Sequence, residues 1–148
     1  MRFLTDMIKK LDFGWNERPL TEDDFYRLCK RFKIHVEETP LHTRGFYFRL
    51  MGRDIIAVDS RLAGHRKRAV MFHELGHFLF HIPETGLSAN FHNIGRRTRK
   101  ECEADTFALC ALIPKPTTET RSVTDLIQEG FPAEMIAARH EIFRRYRI

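Results

Sequence analysis

No apolar run in this chain approaches the roughly 20 residues that a membrane-spanning helix needs, so no membrane partner is expected. Met1 to Lys10 mixes acids and bases and holds no long apolar segment of the secretory type. A cytoplasmic protein is therefore expected. Cysteine is scarce: Cys29, Cys102 and Cys110 are odd in number, widely spaced and contain no CxxC pair. That pattern argues against a disulfide framework and for packed free thiols. No internal repeat or low-complexity tract occurs. Charge of one sign does not dominate either. The net +5 suits nucleic acid, an acidic protein partner, or solubility alone.

What remains is the make-up of an ordinary globular domain, with 43% apolar and 30% charged residues. At 148 residues a single domain over 1–148 is expected, long enough to bury a core without disulfide staples. Within it, 1–19 reads as an N-terminal extension, 20–116 as the core that carries the chemistry, and 117–148 as a C-terminal helical pair.

The informative stretch is His73-Glu74-Leu75-Gly76-His77. From about Arg66 to Phe80, the residues Ala69, Val70, Phe72, Leu75, Gly76 and Leu79 form an apolar face at helical spacing. On that helix His73 and His77 lie one turn apart on the same face. Two imidazole nitrogens can thus aim at one point, as a tetrahedral zinc ion requires of two of its ligands. Glu74 is rotated by about 100° from His73. It reaches a water at the ion more easily than the ion itself, which is the place of a general base in a metalloprotease. These polar groups sit in an apolar stretch, and burying them is unfavourable unless a partner satisfies them.

A third ligand is expected from Glu101-Cys102-Glu103-Ala104-Asp105. Thr98 followed by Glu101 gives a capping-box start, and Pro114 marks the stop, so Thr98 to Leu112 reads as a helix. Glu101 and Asp105 share a face. Glu101 completes a two-His, one-Glu site with a fourth position left for water. Asp105 is placed to accept the free N–H of a ligand histidine, His73 above all. Glu103 is the rival ligand, about 160° away on the helix. Cys102 adjoins Glu101, but adjacent helical residues diverge. Zinc is the expected ion, with manganese the alternative.

Taken together, His73-Glu-Leu-Gly-His77-Phe-Leu-Phe-His81, then Glu101-x-Glu-Ala-Asp105-x-Phe-Ala108, then Leu112-Ile-Pro114, resembles the ImmA/IrrE family of zinc metallopeptidases. Ile55-Ile-Ala-Val-Asp-Ser-Arg61 is similar to that family's strand before the active-site helix. The resemblance covers roughly 20–148. It implies a gluzincin-like site with His73, His77 and Glu101 as ligands and Glu74 as base. It also implies a substrate class, helix-turn-helix transcriptional repressors, and an anti-repressor role. Sensor or DNA-binding-like domains that some members carry would not fit in this length.

The rest of the chain supplies a scaffold. Phe3, Leu4, Met7, Ile8 and Leu11 suit a short amphipathic helix, broken by Gly14 and Pro19. Thr21 opens a helix to about Arg31, with acids in its first turn. Ile34 to Val36 is a short strand. Gly45 to Leu50 and Asp54 to Val58, joined at Met51-Gly52-Arg53, make a hairpin. An extended peptide can pair with the outer strand of such a sheet beside the metal helix, and either strand could be outermost. Ser122 or Val123 begins a helix to Glu129, and Ala133 to Arg145 forms the last one, with Pro132 at its start. The fold class is α+β: a small, mainly antiparallel sheet packed on several helices, zincin-like, with the HExxH pair on the active-site helix.

Four further features carry functional expectations. His81, four residues past His77, would contact the transition state or simply suit a helix C-terminus. His92, in the aperiodic 84–97 stretch, would supply an oxyanion contact if that loop is a lid or clamp. Arg96, Arg97, Arg99 and Lys100 form a solvated face or a docking patch for an acidic substrate. In the C-terminal pair Arg139, Arg144, Arg145 and Arg147 suggest a helix-turn-helix that touches nucleic acid. The function expected is zinc-dependent endoproteolysis of a protein such as a repressor. The rivals are a non-catalytic repressor-binding protein that keeps a structural metal, and a DNA-binding regulator.

Overall fold

A computed structural model describes residues 1–81 and 98–148. The elements run α1 (Arg2–Leu11), α2 (Glu22–Arg31), β1 (Ile34–Thr39), β2 (Gly45–Leu50), β3 (Arg53–Asp59), α3 (Gly64–Phe80), α4 (Arg99–Leu112), α5 (Lys115–Thr120), α6 (Val123–Gln128) and α7 (Ala133–Tyr146). The chain divides into two compact units: Thr21–Ala108, and Met1–Leu20 with Leu109–Ile148.

The Thr21–Ala108 unit holds the sheet and α3, the helix that carries His73 and His77. Its first helix is fixed at the N-terminus by a capping box, in which the Thr21 hydroxyl accepts the Asp24 N–H and the Asp24 carboxylate accepts the Thr21 N–H. The strand order is β1-β3-β2. The β2–β3 hairpin is antiparallel with Leu50 opposite Arg53. Its two turn residues, Met51 and Gly52, both have positive φ (50° and 73°), as the right-handed twist of a two-residue hairpin demands. The strand β1 instead joins β3 in parallel, with Val36 opposite Ile56. The sheet is therefore mixed rather than mainly antiparallel. The reason is burial: β3, with Ile56, Ala57 and Val58 all buried, takes the centre and is paired on both sides. The more polar β1 and the β2 strand take the two outer positions.

Packed on this sheet is α3, against β2 and β3. Aromatic rings build the contact. From the sheet Tyr47 meets Phe78 edge-on at 5.8 Å, and from α2 Phe25 meets Phe72 at 5.9 Å. On its other side α3 meets α4, where Phe107 lies against Phe72 and Phe80. Every residue from Met71 to Phe78 is consequently buried. Two glycines let the elements approach closely. A Cβ at Gly76 would stand 3.2 Å from the Ala104 Cα, and one at Gly45 would stand 2.7 Å from Val70 Cγ1 and 2.8 Å from the Ala57 carbonyl oxygen.

The other unit contains α1, α5, α6 and α7, with α7 packed on α5 and α6. Leu4 and Ile8 are the buried face of α1. The helix α5 departs from the sequence reading, in which Pro114 marks a stop and the next helix begins at Ser122 or Val123. Pro114 caps it and Pro116 falls at its second position, where a missing N–H removes no helical bond. Arg139 is fully buried. Its guanidinium donates to the main-chain oxygens of Ile113 and Ile148 at 2.6 and 2.9 Å and to Asn16 Oδ1 at 3.1 Å. It is therefore a structural hub of this unit and not part of a basic outer surface.

Candidate metal centre

Helical spacing brings the two motif histidines together. His73 and His77 lie one turn apart on α3, with their Nε2 atoms 3.1 Å apart. The third corner comes from α4. Glu101 Oε2 is 3.2 Å from His73 Nε2, and Glu101 Oε1 is 3.1 Å from His77 Nε2. Tetrahedral ligands about 2.0–2.1 Å from a zinc ion stand about 3.3 Å from one another, so a triangle of this size fits such an ion. Among the described residues His73, His77 and Glu101 are the group that could hold a metal. Glu103 is not in that group. Cys102 is exposed and is not in it either.

Local structure explains why Glu101 is available. The Thr98 hydroxyl accepts the Glu101 N–H at 3.2 Å, which starts α4 just where the carboxylate is needed. The absence of a side chain at Gly76 then lets the α4 backbone at Ala104 pass close to α3. The Glu101 side chain is 20% exposed and that of His77 only 1%. The triangle is thus closed at His77 and more exposed at Glu101.

Electrostatics favours a cation here. Burial lowers the pKa of His73, but its hydrogen bonds to Asp105 and Glu101, together with the charge of Glu74, outweigh that and push it up to about 10. Three carboxylates thus act on one imidazole, and the negative field attracts either a proton or a metal ion. Asp105 Oδ1 lies 2.7 Å from His73 Nδ1. Glu74 is wholly buried on the same helix. A Cβ at Gly45 would be 3.6 Å from Glu74 Cγ, so β2 begins alongside this carboxylate.

His81 ends α3, and its ring is enclosed. Its Nδ1 is 3.1 Å from His77 Nδ1 and its Nε2 is 2.8 Å from Glu103 Oε2. Burial raises the Glu103 pKa, but the bonds from His81 and Arg99 win and hold the carboxyl below its usual range. This partnership was not legible in the sequence, where Glu103 figured only as a rival ligand. The sole hint was the four-residue spacing of His73, His77 and His81. His92, Arg96 and Arg97 lie outside the described residues.

Fold and site together define a domain of the HExxH type whose two imidazoles on one helix and carboxylate from a second could hold a metal ion. Residues 29–142 match the family of IrrE N-terminal-like domains, and the chain belongs to that family of ImmA/IrrE metallopeptidases. No curated protein and no solved structure gives a significant match. Membership and the His73–His77–Glu101 group both point to a metallopeptidase. No described helix is long and apolar enough to cross a membrane.

Proposed function

We propose that the chain is a zinc-dependent endopeptidase whose substrate is a protein, such as a helix-turn-helix transcriptional repressor. The observation that carries this reading is the meeting of His73, His77 and Glu101 at 3.1–3.2 Å beside the buried carboxylate of Glu74. A metal kept only for folding gains nothing from a base at that position. The repressor is favoured by the family resemblance alone. Manganese is the alternative ion.

In this mechanism His73, His77 and Glu101 would hold the ion, and Asp105 fixes the His73 ring through Nδ1. When bound, the ion supplies Lewis acidity, polarising a scissile carbonyl and lowering the pKa of a water to about 7. Glu74 removes the proton of the attacking water and returns it to the departing amine nitrogen. An outer strand that begins beside Glu74 suits an extended peptide, so β2 is the edge along which the substrate would pair.

Incubating the zinc-loaded chain with the product of an adjacent gene, and mapping fragments by mass spectrometry, tests the activity. Cleavage that disappears in Glu74→Gln supports it. Full biological activity in Glu74→Gln would favour a non-catalytic repressor-binding protein. DNA binding by the C-terminal pair would show as a salt-dependent shift of duplex DNA. Arg139 is buried and would not contribute to it.

A further inference from the structure

The two candidate metal-binding imidazoles are held differently. His73 Nδ1 meets a carboxylate directly, at Asp105. His77 Nδ1 meets another imidazole, that of His81, and only beyond it stands a carboxylate, that of Glu103. We propose that Glu103 and His81 are positioning residues of the metal centre, acting as a hydrogen-bonded chain that sets the tautomer and ring plane of His77. The proposal rests on the metal-site reading given above and adds to it.

Proton placement along the chain follows from its two ends. His77 Nε2 belongs to the triangle with His73 and Glu101, so its lone pair must face the ion. The ring proton is then on Nδ1. His77 Nδ1–H donates to His81 Nδ1 across 3.1 Å, which leaves the His81 proton on Nε2. From there it is donated to Glu103 Oε2 across 2.8 Å. Every donor meets an acceptor with both rings neutral, and no other neutral arrangement of these atoms both pairs every donor and keeps the Nε2 lone pair of His77 available.

Burial gives the arrangement force. His77 is 1% and His81 9% exposed, so a donor left without its acceptor would be poorly compensated by water. The backbone helps as well, since the His81 N–H donates to the His77 carbonyl oxygen at 2.8 Å and fixes the final turn of α3. Arg99 Nε donates to Glu103 Oε1 at 2.7 Å, but its side chain is 90% exposed. That pair orients Glu103 and contributes little else. One helix, α4, thus supplies Glu101 to the triangle and Glu103 to the ring behind His77.

The test is zinc affinity, measured by competition with a chromophoric chelator, together with the visible absorption of the cobalt-loaded protein. His81→Phe keeps ring bulk and removes both hydrogen bonds. It should weaken zinc binding 10- to 100-fold, a range typical of lost outer hydrogen bonds, and should alter the cobalt spectrum. His81→Gln retains one acceptor and one donor and should recover most of that loss, which a purely space-filling role would not produce. Glu103→Ala should weaken zinc binding about 10-fold, and it carries the test if His81→Phe does not fold. Parent-like zinc affinity and cobalt spectrum in either folded variant would overturn the proposal. A parent protein that takes up no zinc, or whose uptake ignores Glu101→Ala, would overturn the metal-site reading itself.

Discussion

Replacing Asp105 by alanine removes the 2.7 Å contact at His73 Nδ1 and leaves the metal triangle chemically intact. A hydrogen bond to a charged group contributes about 1.5–3 kcal/mol. The Asp105 side chain is 31% exposed, so water screens it and the lower part of that range, about 1.5–2 kcal/mol, applies. At about 1.4 kcal/mol per tenfold, zinc should bind roughly 10- to 30-fold more weakly. Asp105→Asn keeps an acceptor oxygen but loses the charge, and should fall between the parent and Asp105→Ala. Chelator competition gives the affinities, and thermal melting of the metal-free variants shows that the fold is retained. If folded Asp105→Ala binds zinc as tightly as the parent, His73 is not held by Asp105 in the way described.

Other outcomes follow from the same geometry. Glu74→Gln should retain zinc and fold yet abolish substrate cleavage, read by calorimetric titration and fragment mapping. The raised pKa of His73 stabilises the metal-free protein fully below the unfolded value of 6.5. That stabilisation is lost as pH rises toward 10, the folded value. Between about pH 7 and about pH 8 the metal-free stability should fall by up to about 1.4 kcal/mol per pH unit, and His73→Gln should flatten the decline; a parent that gains stability over that interval contradicts the assignment. Gly45→Ala forces a Cβ to within 2.8 Å of the Ala57 carbonyl oxygen and should cost about 1–3 kcal/mol in denaturant unfolding; an unchanged midpoint would mean that the strand moves freely. Cys102 is exposed, whereas burial pushes the Cys29 and Cys110 thiols up to about 12 and about 11. A thiol reagent on folded protein should therefore label Cys102 first, and equal labelling of all three would refute the packing.

Much of this centre can be read from spacing because helical geometry is local. The i, i+4 pairs His73–His77 and Glu101–Asp105 needed only the helices on which they lie. The hairpin could be read from Met51-Gly52 for the same reason. What escaped was set by tertiary contact. The parallel pairing of β1 depends on which strand is most buried, and nothing within Ile34–Thr39 states that. Glu103 finds His81 because α4 crosses α3 closely at Gly76, and a one-dimensional pattern does not contain that crossing. Arg139 looked like one member of a basic surface. Its burial depends on the main-chain oxygens of Ile113 and Ile148 and on Asn16, which lies far away in sequence.

The most direct test of the metal centre is the metal content of the purified chain under native mass spectrometry after exposure to zinc. Retention of one zinc ion per chain, lost when His73 and His77 are both replaced by alanine in a protein that still folds, is the result predicted here. A parent chain that carries no ion, or a doubly substituted chain that carries it undiminished, would contradict the account.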